Sequence, residues 1–428
     1  MAPDPLPPAQ PVYVLRGHSS TIHALHFMRK NTRLLTGDSD GWVVSWSTVY
    51  KRPVAVWRAH QDGHLGIGSW GNEVIITHGR DNKLNIWQLS EIDEDSMDKS
   101  LPIDDTNTER RQPRLLHILT VNALNFCSFT LCLDDAVEAS SEIVSKQGSS
   151  GRPAILIAVP NTIDSNGIDI FQLPSERRLS SVEAEKDIKT GMVMALEIHS
   201  QKSLLQVAAG FESGHLIIYR QRNRDSTWQN IYYYQAHSQP ILSVSIFPKE
   251  QFVLSSSADA LIVRHPLPLP DPDLPPDERS PLPTHPANAP LKVLQTKHSG
   301  QQSLTIRSDG KIVATAGWDG RIRVYGTKKL REVAVLKWHK QGCYTVTFGE
   351  MVGSDVEKRR DGEVQVTGDE SKEGEKEGEE QSNALTTLEL GSESVISTIS
   401  QKRLRKVQQT HWVAAGGKDG KVSLWDIF

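Results

Sequence analysis

The sequence predicts an all-β chain folded as a seven-bladed β-propeller, closed by an N-terminal strand that completes the last blade. Three observations carry this. A short apolar run, an Asp-centred tight turn and an alternating run recur over residues 34–46, 75–87, 252–264, 313–325 and 412–425, ending at Trp46, Trp87, Arg264, Tyr325 and Trp425. Each copy is a hairpin signal. A histidine precedes every copy, His18, His60, His237, His298 and His339, and lies 21 or 22 residues before the turn aspartate in the first four. Finally, the last copy ends on a third strand while residues 12–15 form a spare one at the other end. A sheet left one strand short exposes an open edge, so 12–15 is expected beside 422–425.

In chain order, residues 1–10 are a Pro-rich tail and 11–428 read as one propeller domain. Seven units of about 40 to 45 residues use roughly 300 positions, so the surplus belongs in inserts. Blade one follows His18, with Ile22, Ala24, Leu25 and Phe27 on its inner strand; blade two runs from Trp57 and His60 to Trp87. The polar stretch 90–113 has no apolar period and reads as a surface loop. Blade three is degenerate, its strands expected at 115–119, 124–129, 154–159 and 168–171 around an insert at 134–152. Blade four takes 192–198, 204–209 and 216–219, with Glu212, Ser213 and Gly214 at its turn. Blade five spans Tyr232 and His237 to Arg264, blade six 291–325, and a Pro-rich linker at 266–290 separates them. Blade seven begins at Val333, continues through 344–348 and resumes at Trp412. Its insert, 349–407, is expected to be largely loop or disordered, like the other inserts.

Composition narrows the compartment. Cys127, Cys132 and Cys343 are the only cysteines, which favours a reducing environment and gives no zinc framework. The start has neither a basic head nor an apolar stretch, and no run reaches the roughly 18 apolar residues of a membrane span. A soluble intracellular protein is expected. Of the net charge of −4, residues 355–380 account for −6 with 11 acidic and 5 basic side chains, leaving the rest near +2. A near-neutral body argues against a protein held to nucleic acid by phosphate contacts.

The recurring His, Thr or Ser, Asp and aromatic residues suit a scaffold, because a framework is needed in every blade and an active site once. Their pattern resembles the WD-repeat (WD40) family, in which these side chains form a hydrogen-bonded network within a blade. Carried over by position, that implies sets at His18, Thr36, Asp40 and Trp46, at His60, Thr77, Asp81 and Trp87, and at His298, Thr315, Asp319 and Tyr325. Blade five keeps His237, Ser255 and Asp259 but ends in Arg264, and blade seven has His339, Asp419 and Trp425 with Ala415 in place of a hydroxyl. Those two networks are expected to be weaker.

Function is then sought on the surface. In such propellers the residue before the turn Asp points from one face, here Ser39, Arg80, Ala258, Trp318 and Lys418. Trp318 with Arg80 and Lys418 forms the expected partner-binding face, since Trp and Arg are enriched at interface hot spots. Lys402, Arg403, Arg405 and Lys406 form a basic cluster that suits a nuclear-import signal, a nucleic-acid contact or a solvated loop.

Residues 15–18, 34–38, 41–46, 52–60 and 77–84, with the large last-blade insert and the Val422-Ser423-Leu424-Trp425 ending, are similar to the fungal ASTRA-associated protein 1 family. The resemblance implies a non-enzymatic nuclear scaffold subunit, the cytoplasm being a second location. It further implies a chromatin-linked complex with a phosphatidylinositol-kinase-like protein, telomere-maintenance co-chaperone proteins and RuvB-like ATPases, acting in chromatin remodelling and kinase maturation. No cofactor, metal, small-molecule substrate or membrane is expected. The alternatives are an enzyme, for which no nucleophile elbow, phosphate loop or metal-spaced cluster is found, and a generic adaptor for ubiquitin ligation or histone tails. An enzyme should carry acidic or His residues on its channel-lining strands, and 242–245 and 304–306 carry none.

Overall fold

The computed structural model describes residues 9–104, 109–124, 126–135, 152–201, 204–221, 227–247, 249, 251–268, 289–351 and 399–427. Within them 28 strands pair into seven four-stranded antiparallel sheets. Six of the first strands, Ile22–Met28, His64–Trp70, Val193–Gln201, Ile241–Phe247, Gln301–Ile306 and Cys343–Phe348, line one axial cavity. Phe126 and Ser128, just ahead of blade three's short first strand Thr130–Leu133, complete its wall.

The core is distributed among the seams. Seven apolar clusters occur among the described residues, and each spans two neighbouring blades. Because neighbours cover both faces, middle strands such as Arg33–Asp38, Val74–Gly79 and Ile312–Gly317 are buried along nearly their whole length. Their runs of branched and small apolar residues follow from that two-sided burial. Outer strands such as Arg331–Lys337 meet solvent and carry charge.

The ring closes as expected. Tyr13–Arg16 lies antiparallel beside Lys421–Asp426, with Tyr13 opposite Leu424 and Arg16 opposite Lys421. Leu15 is 2% exposed and packs with Ile22, Val422 and Leu424.

Several boundaries differ from expectation. Arg114–Thr120 is the outer strand of blade two, paired with Lys83–Gln88, not the first strand of blade three. Blade three is instead Thr130–Leu133, Ile155–Pro160, Ile168–Leu173 and Arg177–Val182. The expected strand at 124–129 fails because Phe126 takes a φ of 58°, in the left-handed region that breaks an extended chain. Lys292–Gln295, placed in blade six from sequence, completes blade five beside Leu261–Pro266.

The polar stretch between the third and outer strands of blade two works as a strap. Ser90 and Asp93 form a capping box that starts a one-turn helix, Glu91–Glu94. Glu94, 4% exposed, binds Arg29 at 2.5 Å and Arg33 at 2.6 Å. The chain then lies on blade one, where Asp98 C=O accepts from Val56 N–H, Leu101 covers Gly17 and Trp46, and Arg110 stacks over Trp42 at 4.6 Å. Residues 399–409 are helical where a loop was expected. Most of the tail and of the other expected inserts, 1–8, 136–151, 269–288 and 352–398, lies outside the described residues.

Candidate functional site: the channel mouth and its supporting networks

Buried side-chain relays hold the blades in shape. In blade two Trp87 Nε1–H donates to Thr77 Oγ1 at 2.9 Å, Thr77 meets His60 Nε2 at 2.8 Å, and His60 Nδ1 meets Asp81 at 2.9 Å. Burial would raise the Asp81 carboxyl, but the hydrogen bond and charge of His60 hold it below the usual carboxylate range. Each buried polar atom in the relay thereby finds a partner.

The other relays depart from the expected sets. In blade one His18 binds Asp38 at 2.6 Å, not Asp40, which is exposed. Asp38 also accepts from the Asp40 and Trp42 N–H groups and so ties the turn itself. In blade five the aromatic position belongs to His265, not Arg264. His265 Nε2 lies 2.9 Å from Ser255, which lies 2.8 Å from His237, and Tyr232 O–H reaches His265 Nδ1 at 2.9 Å. In blade seven the hydroxyl missing at Ala415 comes from Ser423, directly across the ladder, at 2.9 Å from both His339 and Trp425. Neither of these networks is depleted as expected.

Blade six is the one that changes chemistry. His298 stands 4.0 Å from Asp319 and is part-exposed, while the buried Arg323 takes that carboxylate at 2.5 and 3.2 Å. Arg323 faces Thr315 across the ladder, and the hydroxyls of Thr315 and Tyr325 have no partner among the described residues. An arginine at that cross-strand position displaces the histidine because its fork reaches the carboxylate in two places.

These relays support a common geometry at one end of the channel. The first strand of six blades carries a register shift at its second residue. The skipped residues are His23, Leu65, Met194, Leu242, Gln302 and Tyr344, and all six line the axial cavity of about 530 Å³. A bulge re-aims the side chain it skips, so repetition gathers these six residues into one ring. His23 and Tyr344 meet edge to face at 5.6 Å.

The surface positions expected from the turn sit just outside that ring. The N–H groups of Ser39, Arg80, Ala258, Trp318 and Lys418 donate to Thr21, Gly63, Pro240, Gly300 and Gly342, each the residue preceding an inner strand. Glu212 makes the same bond to Met192 in blade four, a member of the set that the sequence reading passed over. Trp318 is 46% exposed and its indole N–H donates to Gln302 Oε1 at 2.9 Å. Gly300, at φ +73°, makes room for it, since a Cβ there would stand 2.2 Å from the ring. Arg80 stacks over Phe126 at 4.5 Å, and Phe126 is 57% exposed. Lys418 is exposed, whereas Ser39 and Ala258 are half-buried.

Comparison with known proteins places this architecture. A family model described as ASTRA-associated protein 1 matches residues 11–425. ASTRA-associated protein 1 of Penicillium rubens is 44% identical over 98% of both chains. That of Aspergillus flavus is 42% identical over 99% of this chain and 98% of its own. That of Schizosaccharomyces pombe is 32% identical over 79% of this chain and 93% of its own. The chain belongs to the ASTRA-associated protein 1 family.

In this member of the ASTRA-associated protein 1 family the channel wall is more ionisable than expected. His23, His64 and Glu197 line it, although 242–245 and 304–306 carry no such group. Burial, then the charge of Arg80, lowers His23, and burial, then the charge of His60, takes His64 to about 3. Burial pushes Glu197 up to about 8. No hydrogen bond joins any two of these three among the described residues. The basic cluster lies elsewhere: Lys402, Arg403, Arg405 and Lys406 are exposed on the helical segment 399–409, which Trp412 anchors by donating to Val407 C=O at 2.8 Å.

Proposed function

We propose that the protein is a non-catalytic subunit of the ASTRA assembly, a rigid disc that holds protein partners on its channel-mouth face. The observation that carries the reading is a match to ASTRA-associated protein 1 from residue 11 to residue 425. The exposed Trp318, the Arg80–Phe126 stack and Lys418 support a protein-docking role for that face, because exposed aromatic and Arg anchors carry much of the energy of protein interfaces. The absence of hydrogen bonds linking His23, His64 and Glu197 among the described residues, and the use of His18, His60, His237, His265 and His339 in buried relays, support a role without chemistry. The reading extends to a nuclear complex with a phosphatidylinositol-3-kinase-like kinase, telomere-maintenance co-chaperone proteins and RuvB-like ATPases, acting in chromatin remodelling and maturation of such kinases.

Affinity purification of the tagged full-length chain, with identification of co-purifying proteins, tests this. Recovery of the kinase-like and co-chaperone proteins is expected, and their loss with Trp318→Ala at unchanged thermal stability would place the contact on the mouth. Recovery of ubiquitin-ligase subunits without any of them would replace the reading with that of a generic propeller adaptor.

A further inference from the structure

We propose that the axial channel is a pocket for one lysine or arginine side chain of an extended partner segment, whose charge is met by Glu197. The inference rests on the reading of the mouth as a docking face and names what enters it.

Glu197 lies on Val193–Gln201, and its neighbours Leu196 and Ile198 are buried in the seam with blade three. Strand alternation turns Glu197 away from that seam, and it lines the cavity of about 530 Å³. It has neither a hydrogen-bond donor nor a cation among the described residues. Three hydroxyls lining the same cavity bind the backbone: Ser243 bridges both backbone groups of Leu304, Thr305 donates to Val346 C=O at 3.0 Å, and Ser303 accepts from Val346 N–H at 3.3 Å. Glu197 is the one acidic residue among those lining the cavity. Glu197 is half-buried, so its carboxyl is open to the cavity and free to meet an entering cation.

The walls suit a long cationic side chain. Leu65, Met194, Leu242 and Tyr344 stand at the mouth, where they cover the methylene stem of a lysine or arginine while its head passes deeper. The charged and titratable groups facing this path are few. Arg80 sits at the rim over Phe126, His23 and His64 are both held toward the neutral form, and the blade-five and blade-six walls contribute none. Arg80 opposes a second cation at the entrance, which favours one basic residue flanked by neutral ones over a basic run.

The proton balance gives the proposal a signature. In the free protein near neutral pH Glu197 holds its proton, because burial takes it to about 8. An entering ammonium or guanidinium stabilises the carboxylate, so the proton leaves to solvent as the ion pair forms. Below about pH 8 binding therefore releases close to one proton, and affinity rises by up to about tenfold per pH unit.

The test uses the full-length protein and five-residue alanine peptides with a central lysine, arginine, glutamine or norleucine. Calorimetry is run at pH 6.5 and 9 in two buffers of different ionisation heat. Binding of the lysine or arginine peptide alone, with close to one proton released at pH 6.5 and almost none at pH 9, is expected. Glu197→Gln should lower that affinity at least tenfold at pH 9 with an unchanged or higher melting temperature. Equal binding of the norleucine peptide, no binding by any peptide, or binding without proton release in the unmodified protein would each overturn the proposal. In the affinity purification, partner loss with Trp318→Ala but full recovery with Glu197→Gln would leave the docking face standing and remove the channel cation. Full recovery with both would remove the docking face as well.

Discussion

Ser423 stands opposite Ala415 on the neighbouring strand and supplies the hydroxyl that Ala415 lacks, 2.9 Å from His339 Nε2 and 2.9 Å from Trp425 Nε1. The relay needs an oxygen at one point in space, and two facing strands can each provide it. Ser423→Ala would leave both ring nitrogens buried without that partner. A loss of about 1 to 3 kcal/mol in unfolding free energy is expected. Urea unfolding checks this, and a change within error would show that the relay does not hold blade seven.

Asp38 and Asp40 should separate cleanly on substitution. Asp38 is fully buried and joins His18 to the N–H groups of Asp40 and Trp42, whereas the Asp40 side chain is exposed. Asp38→Asn should lower the melting temperature markedly and Asp40→Asn hardly at all. Burial would raise the Asp38 carboxyl, but the hydrogen bond and charge of His18 and the Trp42 N–H hold it below its ordinary value. Its contribution is thus full above the unfolded value of about 4 and disappears as pH falls through the lower folded value. Asp38→Asn should therefore flatten stability below about pH 4.

Acid should weaken the fold well before that window. His64, His78 and His265 are each taken to about 3, with burial the leading cause and a neighbouring histidine second. Their folded values lie below the unfolded value of about 6.5, so the stability they permit is complete above pH 6.5. It declines as pH falls toward 3, because the unfolded chain takes protons that the folded chain refuses. Urea midpoints should drop steadily from pH 7.5 to 4.5, and His78→Gln should reduce the slope. A flat profile over that range would contradict the buried neutral state of these rings.

The sequence carried the ring and its closure because each blade repeats one grammar, and because the unpaired strand at 12–15 needed the exposed edge at 422–425. It did not carry the relays that changed partner. Asp38, His265, Ser423 and Arg323 each occupy a position that becomes adjacent only across a ladder or a turn, so linear spacing from the histidine points to Asp40, Arg264 or Ala415 instead. The mouth ring was hidden for the same reason. Leu65, Met194, Leu242, Gln302 and Tyr344 carry no common sequence signature, and what unites them is a bulge at the second residue of each inner strand. Glu197 looked like one polar residue among apolar ones on a half-buried strand.

The strap within blade two gives a sharper stability test than its polar composition suggests. Glu94 pairs with Arg29 and Arg33, and the Glu94 and Arg29 side chains are 5% and 6% exposed. Removing the carboxylate leaves two guanidinium groups close together, one of them buried. Glu94→Ala should cost about 3 to 5 kcal/mol, whereas Glu91→Ala, at the exposed start of the same helix, should cost little. Comparable small losses for both would mean that the strap does not hold blade one.

The N-terminal strand is where the ring is most easily opened. Leu15 fills the seam between blades seven and one, and Tyr13–Arg16 gives Lys421–Asp426 its outer neighbour. Leu15→Ala should cost about 2 to 5 kcal/mol, the range for truncating a buried leucine. Deleting residues 1–16 should do more, because it also uncovers a row of unpaired backbone groups along Lys421–Asp426, and such an edge recruits strands from other molecules. Light scattering of the truncated protein should rise with concentration while the full chain stays monodisperse. A truncated protein that remained monodisperse with an unchanged melting temperature would show that the last blade stands without its borrowed strand.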